Sequence, residues 1–180
     1  MPCCDNRHWR NQRNELAIRL ICHEVRNSTI RSWTGLSDHQ IRQLCGNVRS
    51  ASTTKPLRRR RGRPPRQASF FTRSPHLQLE TAQLCSTLTS CGLFELALHE
   101  PPETRSFAYH QLFCDAFETH EQLFADPCIS FEHAWYLLEL LKHGRGHAIM
   151  PCRRCQGIYL CNGSSASRRA CPCCRSKTIG

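Results

Sequence analysis

Cys152 and Cys155 form one C-x2-C pair, and Cys171 and Cys174 form a second after fifteen intervening residues, in the stretch PCRRCQGIYLCNGSSASRRACPCCR. A C-x2-C pair lets two thiolates share one metal through a tight knuckle, and Gly157 suits the turn after the first pair. Two knuckles complete a tetrahedral sulfur shell. Four thiolates close that shell and leave no place for water. The expected occupant is therefore one structural Zn2+ per chain, in a zinc-ribbon-like module over residues 151–180. An iron–sulfur cluster is the alternative for the same ligands. Cys161, Cys173 and His147 are near enough in sequence to substitute for a ligand. Arg153, Arg154, Arg168 and Arg169 would ride on the metal-held loops as a basic surface.

Fourteen cysteines in 180 residues could also describe a secreted disulfide scaffold. The N-terminus, MPCCDNRHWRNQRNELAIRLICHEV, is polar and lacks the apolar region of a signal peptide. Cys22, Cys45, Cys85 and Cys114 fall among apolar letters of helical segments, where reduced Cys behaves as a small hydrophobe. No apolar run approaches the ~18 residues that a membrane span needs. The expectation is a cytoplasmic protein with no membrane partner.

Residues 1–50 are expected to be helical. Trp9, Leu16, Ile18, Leu20, Ile21 and Val25 give a rough 3.6-residue stripe that predicts a helix over 8–26. In NSTIRSWTGLSDHQIRQLCGNVR, Asn27 or Ser28 would cap a short helix with Ile30 and Trp33 on one side. Gly35 suits the positive φ of the turn that follows. Ser37 would cap a second helix, with Ile41, Leu44, Cys45 and Val48 on one face and His39, Gln40, Arg42, Gln43, Asn47 and Arg49 on the other. Two short helices, a Gly turn and a polar, basic second helix read as a helix-turn-helix, whose second helix enters the major groove. Gln can pair bidentately with adenine and Arg with guanine. His39, Gln40, Arg42, Gln43 and Arg49 are thus candidate DNA contacts. A plain helical hairpin would show the same pattern.

Residues 51–69 form a Pro/Gly/Arg-rich loop by composition and contain RRRRGRPPR. Its RGRPP segment is similar to an AT-hook core. Gly62 would let the backbone approach a groove floor, Pro64 extends the chain at Arg63, and an extended Arg fits a narrow A·T-rich minor groove. Arg58, Arg59, Arg60, Arg61, Arg63 and Arg66 are candidate DNA contacts. A solvated charge run and a nuclear address are the competing readings.

Residues 70–150 read as a helical domain. Ser74 and Pro75 open one helix and Gly92 stands near its stop. A second follows Pro101 and Pro102, with Phe107, Tyr109, Phe113 and Phe117. A third runs from cap Ser130 through an apolar body, Phe131 to Leu141, to a Gly144 stop. Cys85, Leu88, Phe107, Phe113 and Trp135 are more apolar surface than a three-helix unit easily hides, which marks an interface. Charge is segregated: 16 Lys/Arg against 4 Asp/Glu over residues 1–73, 3 against 10 over 74–150, and 6 against 0 over 151–180. Basic ends suit phosphates and an acidic middle does not. The middle carboxylates are spread along helices rather than clustered for Mg2+, so the chain is not expected to be an enzyme.

The order of parts resembles the flagellar transcriptional activator C-subunit family (FlhC-like). Those parts are the N-terminal helices with TGLSDHQIRQLCGNVRS, the RGRPP loop, the helical middle, AWYLLELLKHG from Ala134 to Gly144, and the two C-x2-C pairs. The resemblance covers about residues 8–175. It implies an activator that binds promoter DNA of flagellar and related genes and recruits RNA polymerase. It also implies a hetero-oligomer with an all-helical D-type subunit, and zinc held by Cys152, Cys155, Cys171 and Cys174. The insert ASTTKPLRRR, the extra cysteines and the short tail depart from the family. A zinc-stapled helical adaptor, binding acidic partners or nucleic acid without sequence preference, is the alternative function.

Overall fold

The computed structural model describes residues 3–51, 66–94, 107–143, 147–162, 171 and 174. It is mostly helical. In order, the elements are α1 (Cys3–Cys22), α2 (Asn27–Thr34), α3 (Asp38–Ala51), a 3-10 helix (Ala68–Thr72), α4 (Pro75–Ser90), α5 (Phe107–Leu123), α6 (Phe131–Lys142), β1 (His147–Pro151) and β2 (Ile158–Asn162). No helix among the described residues is long and apolar enough to cross a membrane. The chain divides into one unit comprising Met1–Arg63 with Ser106–Cys114, and another comprising Pro64–Arg105 with Asp115–Gly180.

In the first unit α1 packs against α2 and α3. Leu16, Ala17, Leu20, Ile21, Val25, Ile30 and Ile41 are buried there. Helix α1 stops at Cys22, earlier than the predicted 26, because Glu24 turns left-handed with φ 57°. The N–H of Val25 then donates to the Leu20 carbonyl and that of Glu24 to the Ile21 carbonyl, which closes the helix end. Trp9, expected on the apolar stripe, is 47% exposed, though its ring lies 5.1 Å from that of Phe107. Cys22, expected as a core hydrophobe, is exposed, whereas Cys85 and Cys114 are buried.

Neither Asn27 nor Ser28 caps α2. The cap position falls on Arg26, whose side chain makes no capping bond. The end of α2 is as predicted: Gly35 takes φ 64° and its N–H donates to the Arg31 carbonyl. Arg13 of α1 donates through Nε to the neighbouring Thr34 carbonyl. Ser37 does cap α3, in a reciprocal box. The N–H of Gln40 donates to Ser37 Oγ at 3.3 Å, and the N–H of Ser37 donates to Gln40 Oε1 at 2.9 Å. Ile41 is then fully buried.

In the second unit α4 starts as read from Ser74 and Pro75, with the N–H of Leu77 donating to Ser74 Oγ at 3.2 Å. Ser130 stands at the α6 cap position but makes no capping bond, because its hydroxyl lies 2.8 Å from His133 Nδ1. Phe71, Leu84, Leu88, Phe117, Phe131 and Leu137 fill the core, with the Phe117 and Phe131 rings 5.1 Å apart. Strands β1 and β2 pair antiparallel, His147 opposite Asn162 and Pro151 opposite Ile158, and α4 packs on β2. Of the five residues expected to form an exposed apolar surface, none is fully exposed. Cys85, Leu88 and Phe113 are fully buried, and Phe107 and Trp135 are half-buried.

Candidate metal centre

The β1–β2 hairpin carries the first knuckle in its connection. Pro151 and Ile158 close the ladder, and six residues from Cys152 to Gly157 make the turn. The N–H of Cys152 donates to the Gly157 carbonyl and that of Gln156 to the Cys152 carbonyl, both at 2.9 Å. The left-handed residue of this turn is Gln156, with φ 61°, and not Gly157 as the sequence suggests. Gly157 serves by its small size, since a Cβ there would stand 3.4 Å from Cys155 Sγ.

Cys171 returns to this knuckle, and its N–H donates to Cys152 Sγ at 3.2 Å. The thiols of Cys152, Cys155, Cys171 and Cys174 all lie within 4.8 Å of one another. Cys155 and Cys171 are 3.6 Å apart. A tetrahedral ion with metal–sulfur bonds of about 2.3 Å requires sulfurs roughly 3.8 Å apart, so the group is compatible with a structural metal. Cys152 and Cys171 are buried, Cys174 is half-buried and Cys155 is exposed. The N–H of Cys171, followed by that of Cys155, pulls the Cys152 thiol down to about 6 against the opposing effect of burial. Cys174 is pushed up to about 12 by its thiol neighbours, Cys155 first and Cys171 next. Burial, ahead of those neighbours, raises Cys171 too. Four thiolates cannot share this space without a cation among them. The site therefore suits a bound metal and is poorly arranged as four free thiols.

The ligand group is anchored from one side. Cys152, Tyr159, Cys161 and Cys171 form a small buried cluster against Ala82 of α4, Met150 and Cys174. Cys161 is not part of the sulfur group, because its thiol donates to the Ala148 carbonyl across the hairpin at 3.4 Å. His147 pairs opposite Asn162 at the far end of the ladder and is likewise outside the group. Cys173 lies outside the described residues, as do Arg168 and Arg169; Arg153 and Arg154 are exposed on the knuckle.

The candidate DNA contacts fall in three places. On α3, His39, Arg42, Gln43 and Arg49 are exposed, whereas Ile41 is buried. Gln40 is half-buried and its side chain is held by Ser37. Arg66 is exposed, and its carbonyl accepts from the Tyr136 hydroxyl at 2.8 Å. Arg58, Arg59, Arg60, Arg61 and Arg63 lie outside the described residues.

Sequence reading missed a buried polar network in the second unit. Glu80 and His120 are both fully buried. Glu80 Oε1 accepts from the N–H groups of Cys128 at 2.9 Å and Ile129 at 2.7 Å, and lies 3.3 Å from His120 Nε2. His120 Nδ1 in turn meets Gln83 Oε1. Burial alone would raise the Glu80 carboxyl, but the His120 contact and the Ile129 and Cys128 N–H groups together hold it below its ordinary value. The signal was present: Glu80 shares one helical stripe with Leu77, Thr81 and Leu84, where a solvated carboxylate does not belong. No protein-family model matches the chain, and no curated protein matches it.

Proposed function

We propose that this chain is a zinc-stapled, sequence-specific DNA-binding activator of transcription, serving flagellar and related genes in a hetero-oligomer with a D-type subunit. The observation that best supports DNA binding is α3. Ile41 fixes it in the first unit, and His39, Arg42, Gln43 and Arg49 stand exposed around the rest of its surface. A left-handed Gly35 separates it from α2, and the turn of a helix-turn-helix often contains such a glycine. Arg42 and Gln43 lie in the first half of α3, where a recognition helix reaches base edges, and Arg49 at its end suits a phosphate. Arg58 to Arg66 adds charge directly after it in the chain.

In this reading the four-cysteine group is a closed, structural zinc site of the zinc-ribbon kind. It braces β1 and β2 on α4 and takes no part in chemistry. The target genes, the D-type partner and the recruitment of RNA polymerase come from the sequence resemblance. The test is binding to a flagellar promoter fragment against random duplex of equal length, with the D-type subunit present. Preference for the promoter, lost in Arg42→Ala/Gln43→Ala, is expected. Equal binding to both duplexes would leave the non-specific adaptor in its place.

A further inference from the structure

Away from the four thiols, His76 and Glu80 lie one helical turn apart on α4, and Cys128 lies in the segment leading into α6. The i, i+4 spacing puts the imidazole and the carboxylate on one face of the helix. A nitrogen of His76, an oxygen of Glu80 and the sulfur of Cys128 all stand within 4.8 Å of one another. The T-shaped contact of His76 with the Phe124 ring, centroids 5.3 Å apart, orients the imidazole.

The hydrogen bonding of Glu80 points independently to a ligand. Oε1 carries the Cys128 and Ile129 N–H groups and the His120 contact. Oε2 is equally buried and finds no hydrogen-bond partner among the described residues. A carboxylate oxygen fully removed from water and left unpaired is costly, and native proteins keep such an atom where an ion or a bound water meets it. The carboxylate cannot turn away, because three contacts fix its other oxygen.

We propose that His76, Glu80 and Cys128 form a second metal site, for a divalent ion of the zinc class. Imidazole, carboxylate and thiolate are the three ligand types that such an ion accepts. One carboxylate and one thiolate balance its two charges, so the buried carboxylate is neutralised. The site differs in kind from the four-cysteine group. It has three protein ligands, and two of them, His76 and Cys128, are exposed. The fourth position therefore opens to solvent, and water or a group from a binding partner completes the shell. An ion there cross-links α4 to the segment before α6, reinforcing the tie that Glu80 already makes through two N–H groups.

The full chain, equilibrated with excess zinc and then freed of loose metal, is expected to hold about two equivalents. His76→Ala and Cys128→Ser should each hold about one, and the exposed Cys22→Ser should match the parent. Cobalt substitution gives a second readout. The mixed-ligand site adds a visible spectrum to that of the four-thiolate site, and Cys128→Ser removes only the added part. Far-UV circular dichroism checks that each variant is folded. Unchanged stoichiometry and an unchanged cobalt spectrum in both His76→Ala and Cys128→Ser would overturn the proposal. So would a parent chain that holds about one equivalent and loses all of it in Cys152→Ser/Cys174→Ser.

Discussion

Cys152 and Cys174 mark opposite ends of one electrostatic problem. Backbone N–H groups draw the first toward thiolate, and crowding by sulfur keeps the second protonated. A metal resolves both, so Cys152→Ser or Cys174→Ser should release it and unfold the β1–β2 hairpin, while Cys161→Ser leaves metal content unchanged. Metal analysis and circular dichroism of the three variants check this. Glu80 sets a second residue-scale test. Its carboxyl sits below the ordinary 4.5 in the folded chain, so it stabilises the fold above that pH, and the contribution is lost as pH falls through the depressed folded value. Glu80→Gln should flatten that acid limb of a stability–pH profile. Glu80→Ala, which strands two N–H groups and His120, should cost about 3 kcal/mol in chemical denaturation. The two sites were not equally legible in the sequence. A C-x2-C knuckle is local, and its spacing alone brings two sulfurs together. Glu80 and His120 are forty residues apart, and only the fold of α4 against α5 brings them into contact. Glu80 could still be suspected as a carboxylate on an apolar stripe.

At the level of elements, the helix starts divide: Ser37 and Ser74 cap α3 and α4 as read, and Asn27, Ser28 and Ser130 make no capping bond. Gly35 and the Ser37 cap are visible because each feature is completed within four residues, whereas the return bond from Gln40, read as a DNA contact, was not foreseen. Asn27 and Ser130 mislead because several polar side chains compete at a helix start, and which one bonds the backbone depends on neighbours such as His133. Gly35 allows a sharp prediction. At φ 64° an added Cβ would lie 2.7 Å from Arg13 Nη2, beside the contact that ties α1 to the end of α2. Gly35→Ala should therefore destabilise the first unit by about 1–2 kcal/mol, read as a lower midpoint in thermal unfolding. Ser74→Ala, which removes the bond to the Leu77 N–H, should lower stability by about 1 kcal/mol. The strand pair escaped the sequence reading altogether. HAIMP and IYLCN are too short and too mixed for a period-2 signal, and they pair because the knuckle joins them.

For the whole molecule, charge is segregated, with basic ends over 1–73 and 151–180 and an acidic middle over 74–150, and the proposed function assigns DNA to the basic ends. Cys85, Leu88 and Phe113 are interior, so these three side chains do not form an exposed apolar patch. Trp9 and Leu123 are exposed large apolar side chains among the described residues, one on α1 and one at the end of α5. In the proposed function the basic ends meet phosphate. Each Arg that neutralises a phosphate steepens the fall of affinity with salt by up to ~0.9 in logarithmic slope. Changing Arg58 to Arg61 to Ala should therefore weaken binding to all duplexes alike and flatten that slope. Arg63 lies in Gly-Arg-Pro, where extension favours a narrow groove. Arg63→Ala should act mainly on A·T-rich duplexes. Titrations of A·T-rich and G·C-rich fragments across a salt series distinguish the two effects. If both variants lose affinity equally on both fragments, the loop only holds the chain near DNA by charge, and sequence reading falls to α3 alone.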